Sequence, residues 1–325
     1  MSEPLLEVRN LKKYFPVKTG FAKTTQVKAV DDVSFTVNAG ETVSIVGESG
    51  CGKSTTGRAI MQLDKPTAGQ IIFNGVDLMT LSKSDLRKTR GDIQMIFQDP
   101  FASLNPRQTV YHMLNEVMAV QGIGKNGQRR EKIKELLATV GLLEHQIDLL
   151  PHQFSGGQRQ RIGIARALAA NPKLIVCDEA VSALDVSIQA QVLNLLKDLQ
   201  KELNLTYLFI SHDLGVVRHI SDKIIVMYLG KVMEISESEA LFNRPRHPYT
   251  KALLSAIPTI DFDNPKEKLI LQGDVPTPLD PPTGCPFHTR CPFAIEACKQ
   301  TVPAVEPQKD DPTHGVACIR TEEIA

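Results

Sequence analysis

The sequence contains no tryptophan, carries no net charge and includes no long apolar run. Its 325 residues include 37 Lys and Arg against 37 Asp and Glu. Proteins that bind duplex DNA usually show a basic excess, so this balance argues against such binding by the chain as a whole. No stretch reaches the roughly 18 consecutive apolar residues of a membrane span, and residues 1–4 lack the basic and apolar regions of a secretion signal. We therefore expect a globular protein of the cytoplasm, with about two domains at roughly 150 residues each.

Internal repeats and low-complexity tracts are also missing, and the first 240 residues instead alternate short β-rich runs with longer amphipathic ones. The predicted strands lie at residues 29–37, 42–46, 93–97, 174–177, 207–210 and 223–227. Several are continuous apolar runs, which are typical of strands buried on both faces. Residues 186–203 carry apolar side chains at steps of three and four, as in a helix packed on a sheet. The pattern predicts an α/β fold with a largely parallel sheet.

Two segments depart from this alternation. Residues 99–171 contain predicted helices at 110–120, 128–140 and 155–170 without convincing strands, which indicates a helical insertion. After residue 242, proline recurs 13 times, so regular elements there must be short. Such a segment has a thin core and benefits from a staple. We therefore place a domain boundary between residues 1–242 and the proline-rich extension at 243–325.

A glycine-rich run, named the phosphate loop below (residues 47–54), follows the predicted strand 42–46. It reads Gly-Glu-Ser-Gly-Cys-Gly-Lys-Ser and fits the pattern G-x-x-x-x-G-K-S/T. Glycines let backbone N–H groups approach phosphate oxygens, and the following helix adds its positive dipole end. The lysine is expected to reach the β- and γ-phosphates, and the last serine to bind Mg²⁺. The predicted nucleotide-binding residues here are Gly47, Glu48, Ser49, Gly50, Cys51, Gly52, Lys53, Ser54 and Thr55.

Two carboxylates end the apolar strand at residues 174–177. Asp178 can hold Mg²⁺ through water, and Glu179 can orient or polarise a water that attacks the γ-phosphate. Acids at a strand end are often solvated loop residues. The phosphate loop in the same chain makes the functional interpretation the stronger one.

A second glycine pair, in Ser-Gly-Gly-Gln at residues 155–158, opens a predicted helix. Ser155 is a good N-cap, and the glycines allow an anion to approach the helix N-terminus. Because the phosphate loop already takes one nucleotide, this second anion site is expected to face another molecule. At this point the chain resembles the ATP-binding-cassette ATPases, whose signature is Leu-Ser-Gly-Gly-Gln; Phe154 replaces the leucine. The resemblance spans about residues 5–242.

The resemblance implies a P-loop ATP-binding-cassette fold: a mostly parallel sheet with helices, an antiparallel β part and a helical subdomain at about 99–171. It also implies further roles. Gln98 matches the Gln-loop, which touches Mg²⁺ or the attacking water. His212 matches the switch histidine at the γ-phosphate. Phe15, with Tyr14 as the second choice, matches the aromatic that stacks on adenine. Ala180 departs from the usual proline after the glutamate.

In this family two cassettes face each other head to tail. Each ATP lies between one phosphate loop and the signature of the opposite cassette, which implies that Ser155, Gly156, Gly157 and Gln158 serve the partner's nucleotide. Ser182 and Asp185 match the D-loop at the dimer interface. The implied catalytic residues are Glu179, His212, Gln98 and Lys53, and the implied magnesium ligands are Ser54, Gln98 and Asp178.

Residues 243–258, which contain His-Pro-Tyr, resemble the segment after the cassette in oligopeptide and dipeptide importer ATPases, of the type called the F subunit. Residues 101–107 and 181–187 match as well. The resemblance implies an ATPase at the cytoplasmic face of the cell membrane that energises peptide import. Its implied partners are a second cassette, usually a different chain, two transmembrane permease subunits and an extracytoplasmic peptide-binding protein. The alternatives are an exporter of peptides or drugs, and a soluble cassette ATPase acting on nucleic acid or ribosomes.

Four of the six cysteines lie in the extension: Cys285, Cys291, Cys298 and Cys318. Cytosolic thiols are kept reduced, so disulfides are not expected. Zinc sites usually pair ligands as C-x₂₋₄-C, which these spacings do not match. Four thiolates can hold a 4Fe–4S cluster, and members of the importer family carry one in this segment. An iron–sulfur cluster is therefore favoured, with zinc or unmetallated thiols as alternatives. The remaining two, Cys51 and Cys177, are expected to pack.

Overall fold

The computed structural model describes residues 3–18, 24–257, 269, 271 and 273–324. Met1 and Ser2, and Pro258 and Pro265 of the extension, lie outside the described residues. The chain divides into two compact units. Unit 1 comprises Met1–Val37, Thr42–Asp77 and Ser211–Ala325, and unit 2 comprises Asn38–Glu41 and Leu78–Ile210.

The strands, in chain order, are β1 (Leu6–Lys18), β2 (Thr24–Val37), β3 (Thr42–Val46), β4 (Ala68–Phe73), β5 (Val76–Asp77), β6 (Ile93–Ile96), β7 (Leu174–Asp178), β8 (Thr206–Ile210), β9 (Lys223–Tyr228), β10 (Lys231–Glu237), β11 (Glu306–Pro307) and β12 (Gly315–Val316). The helices are α1 (Lys53–Ile60), α2 (Lys83–Thr89), α3 (Pro100–Ser103), α4 (Val110–Val120), α5 (Asn126–Thr139), α6 (Gly156–Leu168), α7 (Val186–Leu203), α8 (Leu214–Ile220), α9 (Ser238–Asn243), α10 (Pro248–Ser255), α11 (Glu296–Gln300) and α12 (Thr321–Ile324). In the described part of the chain, every helix is too short or too polar to span a bilayer.

Unit 1 contains an antiparallel sheet in the order β2-β1-β4-β5. It also contains β3, which is buried along its whole length and leads into the phosphate loop. β3 pairs in parallel with β9, and β9 pairs antiparallel with β10. Glu234 of β10 lies opposite Val316 of β12. The C-terminal extension therefore adds a strand to the sheet that carries the phosphate loop.

Unit 2 contains the parallel strands β6, β7 and β8, with Ile93 opposite Leu174 and Leu174 opposite Thr206. α7 buries Val192, Leu196 and Leu199, which belong to the apolar stripe predicted from the sequence. Between β6 and β7 the chain forms α3 to α6 and two 3₁₀ turns, at Glu144–Asp148 and Pro151–Gln153. Strands and helices thus alternate as expected for an α/β protein.

The sequence did not predict β1, β4, β10 or the two-residue strands β5, β11 and β12. β1 and β4 mix buried residues with exposed ones, and the register is irregular in β1, as between Val8 and Leu11, and in β10. A short, interrupted alternation of this kind carries less periodic signal than a buried apolar run. The predicted strand at 93–97 ends one residue earlier, at Ile96, and the Phe97 side chain that follows is 39% exposed.

Candidate nucleotide site and four-cysteine site

The phosphate loop of unit 1 has a backbone that only glycine fits at two positions. Gly47 has φ 151° and Gly52 has φ 103°, both on the positive side of φ. A Cβ on Gly47 would lie 2.2 Å from the carbonyl oxygen of Met227, and a Cβ on Gly52 would lie 2.1 Å from that of Ala29. The loop is therefore packed tightly against its neighbours, with α1 beginning at Lys53 directly after it.

Lys53 is buried and turns back over the loop. Its Nζ donates hydrogen bonds to the carbonyl oxygens of Gly47, at 2.9 Å, and Glu48, at 3.0 Å. Ser54 and Thr55 follow in the first turn of α1 and are half-buried. Cys51 is buried beside the lysine, and burial raises the pKa of its thiol. A cation, a helix N-terminus and closely packed glycines together suit an anion such as a nucleotide phosphate.

Phe15 and Tyr14 lie side by side on β1 in different surroundings. The Tyr14 hydroxyl donates to Asp31 Oδ1 at 2.5 Å, and Asp31 also pairs with Lys231. The Phe15 ring is half-buried, with Lys13 Nζ 4.6 Å from its centroid. Stacking of Phe15 on adenine, with Tyr14 as the second choice, stays a prediction.

His212 belongs to unit 1 and is exposed. It lies immediately before Asp213, the N-cap of α8, whose side chain accepts from the N–H groups of Gly215 and Val216. The cap fixes the start of α8 and the direction of the chain at the histidine.

Unit 2 brings Gln98 and Glu179 together, because Gln98 Nε2 donates to Glu179 Oε2 at 2.8 Å. The Glu179 backbone has φ 47°, the left-handed region that non-glycine residues seldom occupy. Its N–H donates to the carbonyl oxygen of Ile210. Strained backbone of this kind is concentrated at functional sites. Asp178 ends β7 beside it, and Cys177 is fully buried, with its thiol pKa raised by burial.

The signature residues, also in unit 2, start α6 with a complete capping box. The Ser155 side chain accepts from the N–H of Gln158, and the Gln158 side chain accepts from the N–H of Ser155. A Cβ on Gly157 would lie 2.5 Å from Ile188 of α7, whereas Gly156 is exposed with room around it. Phe154 is buried, which explains why phenylalanine can stand where the family has leucine.

The predicted D-loop residues lie on an exposed turn before α7. The Ser182 hydroxyl donates to the carbonyl oxygen of Glu179 at 2.9 Å. Asp185 is exposed, and the next side chain, Val186, is 82% exposed. An apolar side chain so open to water is suited to burial against another molecule.

The four cysteines of the extension line one cavity, together with Phe287 and His288. All are free thiols. Burial raises the pKa of Cys285 to about 11, and the neighbouring thiols add to that shift. No group of three or more His, Cys, Asp or Glu side chains among the described residues is arranged to hold a metal ion. The structure thus gathers the predicted ligands at one place without showing a metal site.

Several contacts that anchor the extension were not foreseen. Glu234, fully buried on β10, accepts from the N–H groups of Arg246 and His247 and pairs with His314 at 2.6 Å. His247 caps α10, and burial lowers its pKa to about 4. Arg290 pairs with Glu48 of the phosphate loop. No local sequence pattern signals partners so far apart in the chain.

Comparisons with known proteins agree with this geometry. A family model described as ABC transporter matches residues 30–182, and one described as the C-terminal region of oligopeptide/dipeptide transporters matches residues 233–298. The oligopeptide transport ATP-binding protein AppF of Bacillus subtilis (strain 168) is 56% identical over 321 residues, covering 97% of each chain.

Solved structures show the same fold. The structure of cbiO1 from Clostridium perfringens, part of the ABC transporter complex cbiONQ, has a TM-score of 0.64 and 28% identity, covering 75% of this chain and 92% of that one. The ATP-binding cassette MJ0796, in a dimeric post-hydrolysis state bound to ADP and Pi, has a TM-score of 0.62 and 33% identity, covering 72% and 98%.

These matches define an ATP-binding-cassette ATPase with the P-loop cassette fold, as the sequence predicted. More narrowly, the chain belongs to the branch of the ABC transporter family that carries the oligopeptide/dipeptide C-terminal region.

Proposed function

We propose that this chain is the ATP-hydrolysing subunit of a transporter that imports oligopeptides or dipeptides. The observation that carries the proposal is the joining, in one chain, of an ABC transporter match with the oligopeptide/dipeptide C-terminal region. A relative of nearly the same length is named for oligopeptide transport. These matches favour peptide transport over drug export and over action on nucleic acid or ribosomes.

At the ATP site we assign each residue a role. Lys53 and the loop N–H groups hold the β- and γ-phosphates, Phe15 stacks on adenine, and His212 contacts the γ-phosphate. Glu179 aligns the attacking water, and its hydrogen bond to Gln98 supports that role by fixing the carboxylate. Mg²⁺, when bound, neutralises charge on the β- and γ-oxygens. The ligands proposed for it are Ser54, Gln98 and Asp178.

The signature residues serve a nucleotide on a second cassette. The exposed position of Gly156 at the start of α6 supports this, because an anion can reach the helix N-terminus there. Ser182 and Asp185 are exposed, which supports the proposal that they contact the second cassette. Similarity to a cassette solved as a dimer points the same way.

The remaining partners follow from the family. We propose two transmembrane permease subunits, an extracytoplasmic peptide-binding protein, and attachment of the ATPase to the cytoplasmic face of the membrane through the permeases. We also retain the proposed division into a cassette at residues 1–242, with a helical subdomain at about 99–171, and an extension at 243–325. The C-terminal family match begins at residue 233, within β10, and overlaps this boundary.

The decisive experiment is reconstitution of the assembled transporter in vesicles, with labelled peptide and ATP. The wild-type chain is expected to support ATP-dependent uptake. Glu179→Gln should still bind ATP but lose hydrolysis and uptake, because an amide cannot act as the base that aligns water. Glu202→Gln, an exposed position on α7, is the matched control. Uptake by Glu179→Gln at the wild-type rate would refute the catalytic assignment, and recovery of the chain on ribosomes or DNA in place of permeases would refute transport.

For the four cysteines we propose a structural iron–sulfur cluster. The kind of donor supports the proposal, because four thiols line one cavity and thiolates are the usual ligands of such clusters. Cys285, Cys291, Cys298 and Cys318 would hold the cluster and thereby tie together a segment with few long elements. Burial raises the thiol pKa values of Cys285, Cys291 and Cys318, and because thiolates are the metal-binding form, loading must remove those protons.

Anaerobic purification tests this assignment. Brown protein with iron and acid-labile sulfide, both lost in Cys298→Ser but kept in Cys177→Ala, is the expected result. Colourless protein with one zinc would favour the alternative metal, and protein free of both would favour unmetallated thiols.

A further inference from the structure

The segment between Cys285 and Cys291 reaches back to the phosphate loop. Arg290 Nη1 donates to Glu48 Oε2 at 2.7 Å, and Nη2 donates to Glu48 Oε1 at 3.1 Å. This is a two-pronged pair, the geometry in which a guanidinium holds a carboxylate most firmly. The Arg290 side chain is 8% exposed and that of Glu48 is 26% exposed. The pair is therefore largely shielded from water.

A second contact from the extension holds the backbone of the same loop residue. The Tyr249 hydroxyl accepts from the N–H of Glu48 at 2.9 Å, and Tyr249 is fully buried. Phe287, which lies in the same turn as Arg290, packs on Tyr249 and on Tyr228 with ring centroids 5.2 Å and 5.4 Å apart. One short stretch of the four-cysteine segment thus supplies both an aromatic support and a cation.

Glu48 is also the residue whose carbonyl oxygen accepts from Lys53. Its side chain, its N–H and its carbonyl are therefore all held at once. Its carboxylate is an anion within a loop that binds phosphate, so its charge opposes ATP unless a cation balances it. Arg290 supplies that cation and fixes the carboxylate in one orientation.

We propose that Arg290 is a positioning residue for the ATP site, through which the four-cysteine segment sets the affinity of the phosphate loop for ATP. The proposal rests on the proposed function in one respect, namely that the loop binds ATP. It adds that the extension, which touches no reacting atom, controls how tightly the loop does so.

Equilibrium binding of ATP with Mg²⁺ to the full-length chain tests this. Arg290→Gln should weaken ATP binding by between about 2- and 30-fold, the range of couplings carried by residues outside a site. Arg290→Lys keeps the charge but loses the fork, and should fall between wild type and Arg290→Gln. Arg244→Gln is the matched control, because Arg244 is an exposed arginine of the extension, directly after α9, and does not line the four-cysteine cavity. It should bind ATP like the wild type.

Two further readouts separate positioning from general damage to the fold. Adding Glu48→Gln to Arg290→Gln should restore part of the affinity, because the unbalanced carboxylate is gone. The deficit of Arg290→Gln should also shrink as salt rises from 0.01 M to 1 M, since the Debye length falls from about 30 Å to about 3 Å. A merely unfolded variant would show neither response.

The proposal is overturned if Arg290→Gln binds ATP like the wild type, or if its deficit is unchanged by Glu48→Gln and by salt. Should Arg290→Gln fail to fold, Arg290→Lys decides: wild-type affinity in that variant overturns the proposal, and an affinity at least twofold weaker supports it. Failure of the wild-type chain to bind ATP would instead overturn the proposed function, and this inference with it.

Discussion

The phosphate loop and the signature turn both place glycines at the start of a helix, yet they are held in different ways. In the phosphate loop, Lys53 closes over the chain from within, while Tyr249 and Arg290 hold Glu48 from the C-terminal extension. The loop is part of a packed assembly, with no room for a side chain at Gly47.

The signature turn is closed by its own side chains. Ser155 and Gln158 satisfy each other's N–H groups, and Gly156 remains open to solvent. The difference teaches that the phosphate loop is held by contacts from distant parts of its own chain, whereas the signature turn is held by its own residues, which suits the role proposed for it at a nucleotide of a second cassette.

Among the changes that distinguish the two turns, Lys53→Gln should have the largest effect on ATP binding. Losing a buried, hydrogen-bonded cation that faces an anion should weaken ATP binding by about 100-fold, equivalent to about 2.7 kcal/mol. Binding to the isolated chain is the measurement, with the exposed Lys201→Gln of α7 as control. Wild-type affinity in Lys53→Gln would mean that the loop does not hold the triphosphate.

Gly156→Asp should have the next largest effect, which is expected on ATP hydrolysis by the assembled transporter. The new carboxylate fits, because the nearest atom to an added Cβ is 3.9 Å away on Leu184. It would occupy the anion position at the helix N-terminus, so hydrolysis by the assembled transporter should fall by about 10- to 100-fold.

ATP binding to the isolated Gly156→Asp chain should remain at the wild-type level. Gly127→Asp, at an open position in α5, is the control for adding a carboxylate in place of a glycine. Loss of ATP binding by the isolated Gly156→Asp chain would contradict the proposal that the phosphate loop binds the chain's own ATP while the signature contacts the ATP of a second cassette.

This contrast also explains what the sequence could predict. The strand, glycine turn and helix around Lys53 are contiguous, so a local pattern indicates them, and the same holds for Ser155 and Gln158. The pair between Arg290 and Glu48 joins residues 242 positions apart, which no local pattern records.

Burial of a charged side chain is another property that the local sequence does not reveal. In the sequence, Glu234 is one of several polar residues in a short segment. In the structure it is fully buried and accepts three hydrogen bonds. The four cysteines of the extension and the family resemblance predicted a shared site, and the structure brings these residues to one cavity. The preference of such a site for one metal over another depends on ligand chemistry that spacing does not encode.

A smaller effect, specific to the phosphate loop, should follow from Tyr249→Phe. The change leaves the N–H of Glu48 without its acceptor in a partly buried setting, at a cost of about 1 kcal/mol. Chemical denaturation should report lower stability, with ATP binding weakened in parallel. Tyr111→Phe, a half-buried position in α4, is the control. Unchanged stability and affinity in Tyr249→Phe would show that the extension does not support the loop.

The smallest effect should come from Gln158→Ala, which removes one half of the capping box. Because Ser155 still caps α6, the loss should be about 0.5–1 kcal/mol of stability. ATP binding to the isolated chain should not change, since all of these bonds lie within the signature turn. If Gln158→Ala weakened ATP binding as much as Tyr249→Phe does, the two turns would be coupled within one chain, and the self-contained character assigned to the signature would be wrong.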